Sequence, residues 1–344
     1  FRTSGIPSVA VELSPVAAMD PSINVAIFDG GLPPSHPLSA WASPYEIIGT
    51  GPAVGDFLNH GTGVTSAFLF GSIDPSKPLP QPYSNVDHYR VLDGDPSQNL
   101  HELYEVLGRI TSALDQKHYD FVNLSMGPSL TIEDDDMHAW TAVLDDRFAR
   151  ADTLAAVAVG NNDEGDEELS LNRVQVPSDC VNALAVGAAD SPGETWARAP
   201  YSSVGPGRSP GLMKPDLVQF GGSLQRPFLV VGGGSKLALE ATGGTSFAAP
   251  STLRLGAGIR AHFGNSIGLL AVRTLLIHST EASDHSHREI GWGRVAQTLE
   301  DIVVCDDDTI RVIYQGDISP TKYIRAPIPL PEGGIAGNAE ITAT

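Results

Sequence analysis

The stretch Ala241-Thr-Gly-Gly-Thr-Ser-Phe-Ala-Ala-Pro250 carries the residue types of a mounted nucleophile. Gly243 and Gly244 lead into Thr245 and Ser246, and an apolar, helix-competent run follows from Phe247 to Ala257 with Pro250 near its start. Glycines let backbone approach a ligand closely, and the unpaired amides of a first helical turn favour negative charge beside them. Pro250 fits a first turn, where its missing N–H costs little. A serine hydroxyl is a weak nucleophile unless a base lies within hydrogen-bond reach and a third group orients that base. Three positions could supply the missing parts. Asp29 ends the apolar run Ile23 to Asp29, His60 opens His60-Gly-Thr-Gly-Val64 ahead of a helical stretch, and Asn161 follows Leu154 to Gly160. Asp29 alone reads first as the start of a structural turn, and His60 alone reads equally as a packed ring. Together with Ser246 and Asn161 they offer an acid, a base, a nucleophile and an amide donor.

The elements that must position these groups read as an alternation of strands and helices. Ile23 to Asp29, Tyr89 to Asp93, Phe121 to Gly127, Leu154 to Gly160 and Ala183 to Ala188 are short apolar runs, as buried parallel strands are. Between them, Leu100, Leu103, Tyr104, Leu107, Ile110 and Leu114 recur at helical spacing, with Asn99 available as a cap. A second helix is expected from the acids Glu133-Asp-Asp-Asp136 to Arg150, and another over Leu269 to His278. Residues 192–244 read as loops and short strands around a site. This is an α/β protein with a mainly parallel sheet, and such sheets place ligands at the carboxyl ends of their strands. Past Gly291-Trp292-Gly293 the pattern changes to polar/apolar alternation in 310–314, 323–328 and 339–343, which predicts a C-terminal antiparallel β segment. The expected division is 1–22 as an N-terminal extension, 23–300 as the main domain and 301–344 as a β segment that stops within a strand.

Composition narrows the partners. The 344 residues carry a net charge of −20, from 41 acidic and 21 basic residues, which argues against nucleic acid and anionic membrane surfaces. No apolar run approaches the roughly 20 residues of a membrane helix. The first residue is Phe1 and no signal-peptide pattern follows, so a processed or truncated product is expected and the compartment stays open. Cys180 and Cys305 lie far apart without metal or redox spacing and read as buried thiols. Gly232-Gly-Gly-Ser-Lys236 lacks the spacing of a phosphate-binding loop, and Asp284-His285-Ser286-His287 reads as a polar surface turn in preference to a metal site.

Ile27-Phe-Asp-Gly-Gly31, His60-Gly-Thr-Gly-Val64, Val159-Gly-Asn161 and Gly244-Thr-Ser-Phe-Ala-Ala-Pro250, in that order, resemble the motifs of the subtilisin-like serine proteases, the subtilase family. Weaker echoes are Leu124-Ser-Met-Gly127, Val176-Pro177 and Lys214-Pro-Asp216, and the likeness spans roughly 20–300. The resemblance implies helices on both faces of the sheet. It also implies an endopeptidase of polypeptide substrates in which Ser246 attacks, His60 moves the proton, Asp29 orients His60 and Asn161 donates to the oxyanion. By the same resemblance Leu124, Ser125, Met126 and Gly127 pair with substrate backbone, and Gly160 and Asn162 flank the pocket for the residue before the scissile bond. No cofactor is required. Calcium is common in the family, but no full ligand set is matched in this sequence. Phe247 departs from the pattern, which often has Met after the nucleophile. The alternative is a catalytically inactive protein-binding module on the same fold.

Overall fold

A computed structural model describes residues 16–94, 101–162, 165–232, 238–281, 284–323, 325–329, 333, 334, 337 and 339–344. The short apolar runs form strands. β1 (Val25–Asp29), β3 (Val86–Arg90), β4 (Phe121–Leu124), β5 (Leu154–Ala158), β6 (Ala183–Ala189) and β7 (Leu217–Phe220) join β2 (Ala42–Glu46) in one sheet of order β2-β3-β1-β4-β5-β6-β7. Every pairing in it is parallel. Apart from its exposed edge strand β2, the sheet is buried on both faces, and β1 shows why such a strand is apolar throughout. Val25 and Ile27 enter the core shared with α1 (Gly55–Phe70), α4 (Thr245–Phe263) and α5 (Leu269–His278). Ala26 and Phe28 enter the opposite core, with α2 (Glu102–Gln116) and α3 (Ala139–Arg150). The remaining pair, β8 (Phe228–Val231) and β9 (Leu239–Thr242), is an antiparallel hairpin that leads into α4. Two short helices close the order, α6 (His287–Ile290) and α7 (Glu300–Val303). Among the described residues no helix is long and apolar enough to cross a membrane.

Several boundaries differ from expectation for identifiable reasons. Strand β3 begins at Val86 and ends at Arg90, so Val91 to Asp93 lie beyond it, where the Asp93 carboxylate is bound by Arg109 at 2.9 Å. The acids at 133–136 do not open α3. Asp134 accepts from the Arg173 guanidinium at 2.9 Å, and the helix starts only at Ala139, capped by the His138 ring accepting from Trp140 N–H at 3.2 Å. The expected cap Asn99 lies outside the described residues, as do Gly233 to Lys236.

The expected C-terminal β segment does not form among the described residues. Among the described residues of 304–344 no strand forms, and Ile310, Val312, Ile313, Tyr314 and Ile328 are exposed. An alternating pattern makes a strand only when a neighbouring edge supplies hydrogen-bond partners. Here the segment is tied down by side chains instead: Gln315 Oε1 accepts from Gly268 N–H at 2.9 Å. The antiparallel pairing lies in β8 and β9, within the main domain.

Candidate active site

Asp29 is the last residue of β1, where the sheet order reverses between β3 and β4. Its carboxylate is fully buried. Oδ1 accepts from Gly30 N–H at 2.7 Å and meets His60 Nδ1 at 2.8 Å, while Oδ2 is buried without a partner among the described residues. A carboxylate only accepts, so Nδ1 carries the proton and Nε2 is the acceptor nitrogen of the neutral ring. His60 does not precede a helix, as expected, but sits inside α1, which starts a turn earlier because Leu58 N–H already bonds Val54 C=O at 3.0 Å. The ring, about one-third exposed, packs 5.8 Å from Phe247.

Ser246 is the second residue of α4, and nothing among the described residues accepts from its N–H, as expected of a first-turn amide. Asn161 faces it from the loop after β5. Thr245 N–H and the Thr245 hydroxyl both donate to Asn161 Oδ1, at 3.0 and 3.1 Å. Because a backbone N–H can only donate, Asn161 must present its oxygen there and turn Nδ2 the other way. His60, Asn161 and Ser246 line one cavity of about 230 Å³, with Asn59, Glu240 and Phe247 among its walls.

The residues expected to flank substrate are distributed less uniformly. Leu124 is buried in the sheet core, and Met126 is partly buried against that core. Gly127 lacks a side chain where Val176 C=O and Pro177 would meet one, and Gly160, at φ +103°, is covered by the Gln175 amide. That makes Gln175, which no local motif marked, a neighbour of the strand end. Asn162 spends its side chain on the adjoining loop, donating to Leu171 C=O at 2.5 Å and accepting from the Ser203 hydroxyl. Ser125 is bonded to Ser246 in both directions.

A second histidine underlies the pair. His88, from β3, is fully buried; Nε2 accepts from Gly31 N–H at 3.1 Å, so Nδ1 carries the proton and donates to Thr65 Oγ1 at 2.8 Å. It thereby ties the end of β1 to the helix that holds His60. Burial drives its pKa down to about 4, opposed by Asp29 and assisted by His36 and His60. Because the folded value lies below the unfolded one, the unfolded chain binds the extra proton. This contribution to stability is complete above about pH 6.5 and is lost as pH falls toward 4. At about 1.4 kcal/mol per unit the loss is about 3 kcal/mol. Urea unfolding at pH 7 and pH 4.5 should show a steeper fall for the wild type than for His88→Gln, and parallel falls would disprove the assignment.

Cys180 is buried with its thiol pushed up by burial, and Cys305 is partly exposed; both are free. His285 bonds Trp196 C=O through Nε2, at 3.1 Å, and His287 opens α6. Among the described residues no group of three or more His, Cys, Asp or Glu side chains is placed to hold a metal ion.

The parallel α/β sheet carries Asp29 at the carboxyl end of β1, bonded to His60, and His60 shares one cavity with Asn161 and Ser246. The chain belongs to the subtilase family, whose model matches residues 20–293. Solved structures with the same fold include the patellamide maturation protease PatA, at 22% identity with a TM-score of 0.58 over 82% of this chain and 96% of that one. A lanthipeptide protease matches at 20% identity with a TM-score of 0.58, over 80% and 86%. The PatG macrocyclase domain matches at 16% with a TM-score of 0.60, over 83% and 93%. No curated protein sequence matches the chain.

Proposed function

We propose that this subtilase is a serine endopeptidase that cleaves polypeptides through an acyl-enzyme. The observation that carries the reading is the 2.8 Å bond between buried Asp29 and His60, on a cavity that His60 shares with Ser246 and Asn161. The Ser246 hydroxyl, which rests on Ser125 C=O at 3.2 Å, turns toward His60 Nε2 and attacks the substrate carbonyl as Nε2 takes its proton. Asn161 Nδ2 and Ser246 N–H donate to the oxyanion, and the imidazolium, stabilised by Asp29, protonates the leaving amine. Water then repeats the sequence on the acyl-enzyme. Two of the fold neighbours are named as proteases, in keeping with a peptide substrate. A fluorophosphonate should label Ser246 in the wild type and not in His60→Ala. No labelling of the wild type would favour the inactive binding module.

The acids after Asn161 bear on side-chain preference. Asp166 caps its own loop by accepting from Leu169 N–H at 3.1 Å, while Glu167 and Glu168 are exposed. Asp163 and Glu164, which belong to the same acidic stretch, lie outside the described residues. Exposed charges act at high dielectric and are screened within about 8 Å at physiological salt. The expected result is a modest preference, within about tenfold, for Lys over Glu before the scissile bond, fading as salt rises. Matched peptides cleaved at equal rates in low salt would end this expectation.

A further inference from the structure

In an α-helix each C=O accepts from the N–H four residues on, and a proline at that later position removes the donor and crowds the carbonyl. Pro250 stands four residues after Ser246, inside α4, so the Ser246 carbonyl lacks its i+4 helical donor. It is not left unsatisfied. The Ser125 hydroxyl, 121 residues away in sequence, donates to Ser246 C=O at 2.8 Å, and Ser125 is only 5% exposed. The proton of that hydroxyl is committed to this bond because Asn123, fully buried in β4, donates Nδ2–H to Ser125 Oγ at 2.9 Å. A hydroxyl that accepts from an amide is oriented to give its own hydrogen elsewhere.

We propose that Ser125 is a positioning residue: a latch from the sheet that replaces the helical hydrogen bond deleted by Pro250 and thereby sets the angle of the turn bearing Ser246. The inference rests on the reading of Ser246 as nucleophile. Its physical content is a transfer of control. With an ordinary residue at 250, the first turn of α4 would be held by its own helix. With Pro250, the Ser246 carbonyl is released from the helix and fixed to the strand that also ends beside the site. Asn161 holds the preceding residue through the Thr245 N–H, so the turn is gripped from Ser125, just past β4, on one side and from the loop after β5 on the other. The Ser246 hydroxyl, resting on Ser125 C=O, is part of the same clasp.

Deleting the Pro250 ring supplies the test, because an alanine there returns an N–H that can satisfy Ser246 C=O without Ser125. Four proteins are compared: wild type, Ser125→Ala, Pro250→Ala and the double variant. The readouts are kcat and KM on a peptide substrate, and the rate of fluorophosphonate labelling at Ser246. With Pro250 present, Ser125→Ala should lower kcat and the labelling rate roughly tenfold with KM little changed, the value of one lost hydrogen bond. In the Pro250→Ala background the same change should cost less than about threefold, whatever the absolute rate of that background. Equal losses in the two backgrounds, or no loss in the first, would overturn the latch. A purely structural role for Ser125 predicts equal losses. If Ser125→Ala does not fold, Asn123→Ala, which frees the Ser125 hydroxyl to rotate, takes its place in the cycle with the same expected sign of coupling. A wild type that does not label at all would sink the nucleophile assignment, and the latch with it.

Discussion

Replacing His60 by alanine is expected to lower kcat/KM on a peptide substrate by roughly 10,000- to 1,000,000-fold, and adding Ser246→Ala to it should lower the rate little further. Members of a catalytic unit fail together because each acts only through the others. The remaining rate would come from binding and oxyanion donors alone. Asp29→Asn should cost roughly 10,000-fold, and the geometry here says why. Asp29 Oδ1 already accepts from Gly30 N–H and from His60 Nδ1, so an asparagine oxygen in that place can hold the same imidazole tautomer. What it cannot supply is the negative charge that stabilises the imidazolium. Two N–H donors would also point where the Asp29 Oδ2 now lies, buried and without a partner. His60→Ala should in turn destabilise the fold by about 1–3 kcal/mol, since it strips a buried carboxylate of a partner. Rates must therefore be compared per folded molecule, with the melting transition of each variant recorded. A His60→Ala protein that keeps a tenth of the wild-type rate would remove the base from the scheme.

What was legible in the sequence follows from how local each signal is. Strands β1, β4, β5 and β6 are buried on both faces, so their residues had to be apolar without alternation, and the runs ending at Asp29, Gly127, Gly160 and Ala188 announced them to within a few residues. Strand β2 gave no such sign. Ser43, Pro44, Tyr45 and Glu46 are exposed, and a proline is tolerated only because this strand lies at the sheet edge. The candidate site residues sit in short motifs at or just past strand ends or in the first turns of helices, where small neighbours mark them. Their supports do not. His88 is one residue in an ordinary strand, and its bonds to Gly31 and Thr65 bridge 57 and 23 positions. The grip of Ser125 on Ser246 spans 121. The sequence presents Pro250 as a harmless first-turn proline, whereas it lies beyond that turn and its effect falls on Ser246 C=O. The tail misled for the opposite reason: its alternation is real, but a strand needs an edge to join, and none accepts it among the described residues.

Asn161 should separate transition-state binding from substrate binding. The orientation of its amide follows from Thr245, whose N–H and hydroxyl both require an acceptor and so claim Oδ1. This leaves Nδ2 to donate on the side of the cavity shared with Ser246. A carbonyl oxygen gains charge only as Ser246 adds to it, so the Asn161 bond tightens in the transition state and contributes little to the bound ground state. Asn161→Leu, close in size and without a donor, is expected to lower kcat roughly 100- to 1,000-fold while KM changes by less than about threefold. Asn161→Asp should be at least as damaging. It keeps an oxygen for Thr245 but turns a second one, with negative charge, toward the place where the oxyanion forms. Thr245→Val provides the internal control: it removes the hydroxyl bond but leaves the Thr245 backbone N–H on Oδ1, so the amide stays aimed and the loss should be within about tenfold, one hydrogen bond acting through another. Steady-state kinetics on a single peptide substrate decide the matter. A loss in Asn161→Leu that appeared mainly in KM would make Asn161 a substrate-binding residue and leave the oxyanion to Ser246 N–H alone.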